Sequence, residues 1–431
     1  MAHIRPFAAI RYVSRDGNIS SRIAPPYDVL DEARKQQLLQ QDAHNIVKVD
    51  LPYTPPKVAG PDEVYTQANA TLQQWLADGV IAPDRRAGFY PYMQSYDHAG
   101  KTIHRRGFFA LVKLSPFGQG EIVPHEKTYD GPIEDRLKLM RATRMQLSPI
   151  FGLFSDPAGE VNRLLYAEVS RPDASGEMQG GSTRLGGVTD RGIAGQVMDL
   201  MRDKPIYIAD GHHRYTTALA YQRELQQQAP LPEHHPANYC LFVLIPMQDP
   251  GLLIHGTHRL VGGLSGFSID VLKRKLGQNF EIVETPLRGD HVDEFAETLP
   301  GYPPHTFGLY DHATRKLYTL TLKNVDVLAS VEPDHSPAWR QLDVAILQRY
   351  LLDEIIGPSF AGGQRTAPGS TAAPHAITPR MEKGGSQIAL LVQPTPLQAL
   401  EQLGRTKEVM PQKSTYFFPK LATGMVMASL A

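Results

Sequence analysis

The sequence predicts an α+β chain, and three of its features do so. Pro205–Ala209 is a short apolar strand that runs directly into helical periodicity, with Tyr215, Ala218, Leu219 and Leu225 on one face. Tyr239–Pro246 is a continuous strand candidate, apolar without a break from Cys240 to Ile245. Phe267–Lys323 then alternates helix-like and strand-like patches, at Ile269–Leu276, Thr306–Tyr310 and Lys316–Leu322. With 36 glycines and 35 prolines among 431 residues, short elements and many loops are expected.

Along the chain, Ala24-Pro25-Pro26-Tyr27-Asp28-Val29 reads as an extended stretch ending in a turn, because each proline fixes φ and removes a donor. A helix over Asp31–Gln41 and a short strand over Ile46–Leu51 follow. The spacing of Val64, Ala68, Leu72 and Trp75 predicts a helix across Pro61–Asp78. Phe89–Tyr96 and Arg106–Val112 are aromatic and β-branched, hence strands, separated by the turn at His98-Ala99-Gly100. A charged helix over Glu134–Thr143 leads to a buried strand over Ser148–Phe154. Ser170–Val188, rich in Gly and Ser, reads as a mobile loop. Further on, Leu342–Ile356 is an amphipathic helix and the low-complexity Ala361–Ala376 a flexible insertion. A strand (Gln387–Val392) and a helix (Pro396–Leu403) precede Met410–Tyr416.

Bulk properties narrow the function. The 44 Lys and Arg offset 45 Asp and Glu, a net charge of −1, which argues against affinity built on neutralising nucleic-acid phosphates. One cysteine, Cys240, excludes an internal disulfide framework and any Cys-based zinc or iron–sulfur cluster. No apolar run approaches the roughly 18 residues that span a bilayer, so no membrane partner is expected. The first residues, Met1-Ala2-His3-Ile4-Arg5-Pro6-Phe7, lack the pattern of a signal peptide. A cytoplasmic chain of about two to three domains is expected.

The sharpest local signal is Asp210-Gly211-His212-His213-Arg214-Tyr215 at the strand–helix junction. Asp210 is placed to cap the helix by accepting from the N–H of His212 or His213, and Gly211 permits a tight turn and close approach of a ligand. The first-turn N–H groups and the helix dipole, with two imidazoles and a guanidinium, make an anion site suited to phosphate. The plain alternative is a capped helix whose polar first turn faces solvent. A metal reading of His212 and His213 is weaker, because helical chelates use i, i+4 spacing. A second signal, Pro124-His125-Glu126, lies in a loop entering the charged helix; Glu126 matters if the fold carries it to the anion site, where it can take a proton from a hydroxyl. The third, Lys413-Ser414-Thr415 behind Pro411, offers an ammonium, two hydroxyls and backbone N–H groups to an oxyanion, or is a strand start with an exposed lysine. His255 and His258 form either another polar cluster or satisfied structural histidines.

Together, Ala24-Pro25-Pro26-Tyr27-Asp28, Pro124-His125-Glu126, Ala209 through Tyr215, Thr257-His258-Arg259 and Pro411 through Phe417 closely resemble the domain of unknown function 1015 family, over essentially the whole chain. More distantly, three of these runs, in the same order, are similar to those of the free serine kinase of the ParB/sulfiredoxin superfamily. The resemblance implies a ParB/sulfiredoxin-like nucleotide-binding part with insertions, residues 1–262, and a second α/β part, 263–431. It also implies a cleft between them, with the C-terminal Lys-Ser-Thr turn returning to the active site. It implies phosphoryl transfer from ATP or ADP to the hydroxyl of free L-serine or a related hydroxy acid. Glu126 is then the general base, and Gly211, His212, His213 and Arg214 hold the donor phosphates. Lys413, Ser414 and Thr415 hold the transferred group, and Asp210 is the catalytic carboxylate nearest an expected Mg²⁺. Pro411-Gln412-Lys413-Ser414-Thr415 carries one residue more than the kinase's run, and the chain is much longer, with insertions expected within Arg141–Pro205 and Ala361–Ala376. Where sulfiredoxin has its catalytic cysteine this chain has His212, which argues against sulfinic-acid reduction. A non-catalytic nucleotide sensor, or a phosphatase or hydrolase on the same anion site, are the competing expectations.

Overall fold

A strand without a polar face belongs in the middle of a covered sheet, and Tyr239–Pro246, buried at every position, lies there. In the computed structural model, which describes residues 3–126, 130–178, 180–287, 292–363, 366 and 368–431, the chain is mixed α/β. It divides into two units. One comprises Met1–Pro124, Thr128–Leu252 and Pro419–Ala431; the other comprises His125–Lys127 and Leu253–Phe418.

The first unit is built on one large sheet. Its strands run in the spatial order Ile122–Val123, Ile206–Asp210, Ile150–Phe154, Tyr239–Pro246, Lys101–Lys113, Tyr90–His98, Gly181–Leu185 and Ala174–Met178, and Ile4–Arg5 pairs with Lys101–Lys113. Most pairs are antiparallel, but Tyr239–Pro246 runs parallel to Ile150–Phe154. Helix His212–Gln228 follows Ile206–Asp210 and seats Tyr215, Ala218 and Leu219 among Ile206, Ile208, Phe242 and Leu244. Tyr215 is fully buried, and its hydroxyl closes a pair of hydrogen bonds with the Ser115 backbone, accepting from N–H at 3.0 Å and donating to C=O at 2.9 Å. That pair locks the first turn of the helix against the sheet. The second unit carries an antiparallel sheet in the order Phe280–Thr285, Lys316–Leu322, Thr306–Asp311, Ser386–Leu391, His258–Gly262 and Gly369–Thr371. Val292, Phe295, Leu299, Ile377 and Met381 pack on it.

Three segments depart from expectation. Ile46–Leu51 is not a strand but contains the short helix Val47–Asp50, because buried Asn45 fixes its start: Oδ1 accepts from Val47 N–H at 3.0 Å. The amide of Asn45 donates to the Ser21 and Ile23 carbonyls, so tertiary bonds override the β preference of two valines. Ser170–Val188 is no mobile loop: Ala174–Met178 and Gly181–Leu185 pair antiparallel and extend the large sheet, Gln179 lying outside the described residues. Its glycines serve close approach. A Cβ at Gly181 would stand 2.2 Å from the Ser95 carbonyl oxygen, and one at Gly176 2.4 Å from Ile23 Cδ1. Within Ala361–Ala376, of which residues 364, 365 and 367 lie outside the described residues, Gly369–Thr371 forms an edge strand against His258–Gly262 rather than a flexible insertion. Among the described residues no helix is long and apolar enough to cross a membrane.

Tyr215→Phe keeps the ring and removes both bonds to Ser115. We expect a loss of about 1–3 kcal/mol, read from the urea midpoint at unchanged m-value; an unshifted midpoint would show that the pair does not anchor the helix.

Candidate functional site

In the first unit the chain leaves the sheet at Asp210, turns at Gly211 and enters the helix at His212. Gly211 is the N-cap, with φ at +99°, a region that favours glycine. Asp210 is therefore not the cap expected from sequence: no side chain caps this helix. Its carboxylate turns instead to Lys420, whose Nζ donates to Oδ2 at 2.9 Å, with Arg214 Nη2 at 3.9 Å from the same oxygen. Burial alone would raise the Asp210 carboxyl; Lys420, Arg214 and His212 outweigh it and hold it well below the usual carboxylate range. Asp210 is thus an ionised carboxylate flanked by two permanent cations.

Arg214 is more than an exposed cation. Its side chain is only 13% exposed, and Nη1 donates to the Pro149 carbonyl. The guanidinium folds back over the turn so closely that a Cβ at Gly211 would meet its atoms at 3.0 Å. His212 is buried while His213 is half-buried, and the His213 carbonyl accepts from Thr217 Oγ1 at 2.8 Å. The first helical turn carries no acidic residue, so its N–H groups and the neighbouring cations present net positive charge.

In the second unit the structure gathers Glu126, Ser414 and Thr415. Glu126 bridges Met410 in parallel, the Met410 N–H donating to the His125 carbonyl at 2.7 Å. Glu126 Oε1 accepts from the Ser414 N–H at 3.1 Å, and His125 Nε2 lies 2.8 Å from Thr415 Oγ1. Ser414 is fully buried; its hydroxyl donates to the Pro411 carbonyl and its own carbonyl accepts from Thr395 Oγ1 at 2.8 Å. Buried Arg259 supports the turn, donating to the Gln412 and Lys413 carbonyls, each at 3.2 Å. Burial pulls its guanidinium down to about 10, and Glu126 partly offsets this. Lys413 is exposed at φ +59°, and among the described residues its ammonium has no ion-pair partner. Of this turn, the Lys413 ammonium remains for an oxyanion; the Ser414 hydroxyl and N–H are already engaged, and the Thr415 hydroxyl shares its hydrogen bonding with His125. Glu126 Oε2 has no hydrogen-bond partner among the described residues and can accept one from a ligand.

His258 is a structural histidine: Nδ1 accepts from the Val392 N–H at 3.2 Å, and burial, then Arg259 and His255, push it down to about 4. The His255 ring packs edge-on against Phe418. Sequence reading missed Lys420 and gave Arg259 no role beyond its place in the Thr257-His258-Arg259 run. The signal for Lys420 was available: it is the lone charge in the otherwise apolar run Phe417–Ala422. No group of three His, Cys, Asp or Glu suited to a metal gathers among the described residues. Asp210, already paired with Lys420, does not fit as a resident metal ligand.

The chain belongs to the family described as Protein of unknown function (DUF1015), whose model matches residues 4–345. No curated protein matches it. Among solved structures it is similar to a free serine kinase variant in complex with AMP, at 13% identity over 72% of this chain and 88% of that one, TM-score 0.35. The same kinase variant with ADP matches at 13% identity, 72% and 88% coverage and TM-score 0.34. A conserved hypothetical protein from Pyrococcus furiosus matches at 13% identity, 72% and 92% coverage and TM-score 0.33.

The depressed Asp210 carboxyl carries a pH signature. Its stabilisation is present above the unfolded value near 3.9 and is lost as pH falls through the lower folded value. Lys420→Met should raise the folded value, start the acid loss at higher pH and cost about 1–3 kcal/mol at neutral pH. Melting curves between about pH 2 and 7 check this; superimposable curves would remove the ion pair from the account.

Proposed function

We propose that this member of the DUF1015 family is a small-molecule kinase with a ParB/sulfiredoxin-like nucleotide-binding unit. In this reading it transfers a phosphoryl group from ATP or ADP to the hydroxyl of free L-serine or a related hydroxy acid. The observation that carries the reading is the Asp210–Arg214 turn. An uncapped N-terminus of a 17-residue helix, a left-handed Gly211 and two cations on one carboxylate suit a phosphate group. Phosphoryl transfer asks for positioning and charge neutralisation rather than covalent chemistry by the protein.

In this reading the Gly211, His212 and His213 backbone and the Arg214 guanidinium hold the donor phosphates. Asp210 keeps Arg214 and Lys420 oriented, so its role is positioning. Glu126, through Oε2, orients the acceptor hydroxyl and receives its proton. Lys413 and Thr415 meet the transferred group, while Ser414 holds Glu126 through its N–H. Magnesium would arrive with the nucleotide, held by its phosphates and water, and no step is assigned to it. One observation favours the alternative of a non-catalytic nucleotide sensor: Glu126 Oε1 already has a structural role at Ser414.

A coupled nucleotide-consumption assay against amino acids and hydroxy acids tests the reading. Glu126→Gln should lower transfer by about 10²-fold or more while nucleotide affinity by calorimetry is unchanged; a sensor has no transfer to lose. Arg214→Ala should weaken nucleotide binding by about 1.5–3 kcal/mol. Unchanged affinity in that variant, with the fold intact by circular dichroism, would sink the phosphate role.

A further inference from the structure

Behind the phosphate turn, within the first unit, lies a pocket that the kinase reading does not use. It is lined by Tyr27, Asp50, Arg136, Ser148 and Arg214, with apolar side chains that include Leu139 and Met140. Asp50 is 3% exposed and Arg136 6% exposed. Charges so deeply buried are held by bonds. Ser148 Oγ donates to Asp50 Oδ1 at 2.9 Å, Arg136 Nε donates to Asp135 Oδ2 at 2.8 Å, and Arg136 Nη1 donates to the Asp50 carbonyl. The Arg136 guanidinium lies over the Tyr27 ring, 4.0 Å from its centre. The Pro25-Pro26-Tyr27-Asp28 run thereby acquires a structural role, since it delivers Tyr27, at the start of a tight helical turn, as the platform for that arginine.

Two atoms here are left without a hydrogen bond among the described residues, Asp50 Oδ2 and Arg136 Nη2, the latter in an ion pair with Asp135 at 2.7 Å. Asp50 Oδ2 is buried and accepts no hydrogen bond among the described residues. A buried carboxylate oxygen without a donor costs about 1–3 kcal/mol and calls for an explanation. Formal charge narrows the ligand. Arg136 and Arg214 line the pocket together with Asp50, and Asp135 pairs with Arg136 from outside the lining, so no ligand of a single sign gains from all of these groups. A small molecule that carries both an ammonium and a carboxylate does.

We propose that this pocket takes a small zwitterionic amino acid, its ammonium on Asp50 Oδ2 and its carboxylate toward the guanidiniums of Arg136 and Arg214. The proposal rests on the kinase reading for its consequence: Arg214 belongs both to the pocket and to the phosphate turn, so in that reading the amino acid bound there adjoins the donor phosphates, and Asp50 selects an amino acid over a hydroxy acid. Burial raises the Asp50 carboxyl, and an ammonium on Oδ2 counters that by favouring the ionised form.

The test is calorimetric titration of the full chain, without nucleotide, with L-serine and with glycerate, which has a hydroxyl where serine has its ammonium. L-serine should bind about tenfold or more tightly than glycerate. Asp50→Asn should remove that preference, weakening L-serine by about tenfold or more and leaving glycerate unchanged. Because Asp50→Asn disturbs a buried network, Met140→Phe serves as a second variant: it leaves every bond of Asp50 in place, narrows the pocket and should abolish binding of both compounds. Equal affinity for the two compounds, or L-serine binding that survives Met140→Phe, overturns the pocket assignment. A parallel titration with ATP and ADP separates the two readings. Nucleotide binding without L-serine binding overturns the pocket alone, whereas L-serine binding without nucleotide binding upholds the pocket and removes the kinase.

Discussion

The Asp210 carboxylate is the constraint on which the first unit's site depends. It sits where a strand ends and a helix begins, and desolvation works against its charge. Two cations outweigh that desolvation, one from the first turn of the helix and one from the C-terminal segment, 210 residues further on. A carboxylate held by cations from both directions fixes the turn without capping the helix. The helix N-terminus therefore has no capping side chain to compete with an incoming acceptor. Gly211 is the geometric condition for this arrangement: its positive φ turns the chain and its missing side chain leaves room for the Arg214 guanidinium.

The Lys-Ser-Thr turn of the second unit follows a related logic with the signs exchanged. Here the buried cation, Arg259, holds backbone carbonyls of the turn, and the carboxylate of Glu126 holds a backbone N–H. Ser414 is consumed by structure: hydroxyl, N–H and carbonyl each have a partner inside the protein. Lys413 is pushed outward in a left-handed conformation by the same tight turn. A motif of three polar residues thus contains one that shapes the turn, one bonded to His125 and a lysine that remains for a ligand.

Much of this was legible in the sequence where local signals and tertiary context agree. Tyr239–Pro246, the hairpin partners near Phe89–Val112 and the helix carrying Leu72 and Trp75 are set by period and by apolar content, and they form as expected. Reading failed where a long-range partner decides the outcome. Nothing near Ile46 announces that Asn45 bonds back to Ser21 and Ile23, and nothing near Gly181 announces the Ser95 carbonyl that excludes a Cβ. At the site, the Asp-Gly-His-His-Arg run was visible as a strand–turn–helix, but the direction of the Asp210 side chain was not. Its partner, Lys420, lies 210 positions away, and a capping aspartate and an ion-paired one have the same local sequence.

Charge, taken pocket by pocket, distinguishes the two ends of Arg214. On the turn side, Arg214 and Lys420 outnumber Asp210, and the helix N-terminus adds partial positive charge, so this side attracts an anion. On the inner side, Arg214 joins Arg136 and Asp50, with Asp135 paired to Arg136 behind the lining, so both signs are presented. A phosphate moved inward would meet the Asp50 carboxylate at short range, which opposes its entry. A zwitterion moved outward would meet the surplus cations with its ammonium and gain little. One guanidinium, hydrogen-bonded to the Pro149 carbonyl and therefore fixed in place, can in this way border two ligands of different charge without their exchanging places. In the proposed kinase, that sorting by charge would keep donor phosphates and amino acid on opposite sides of Arg214, and it rests on the identity of the buried and half-buried side chains around it.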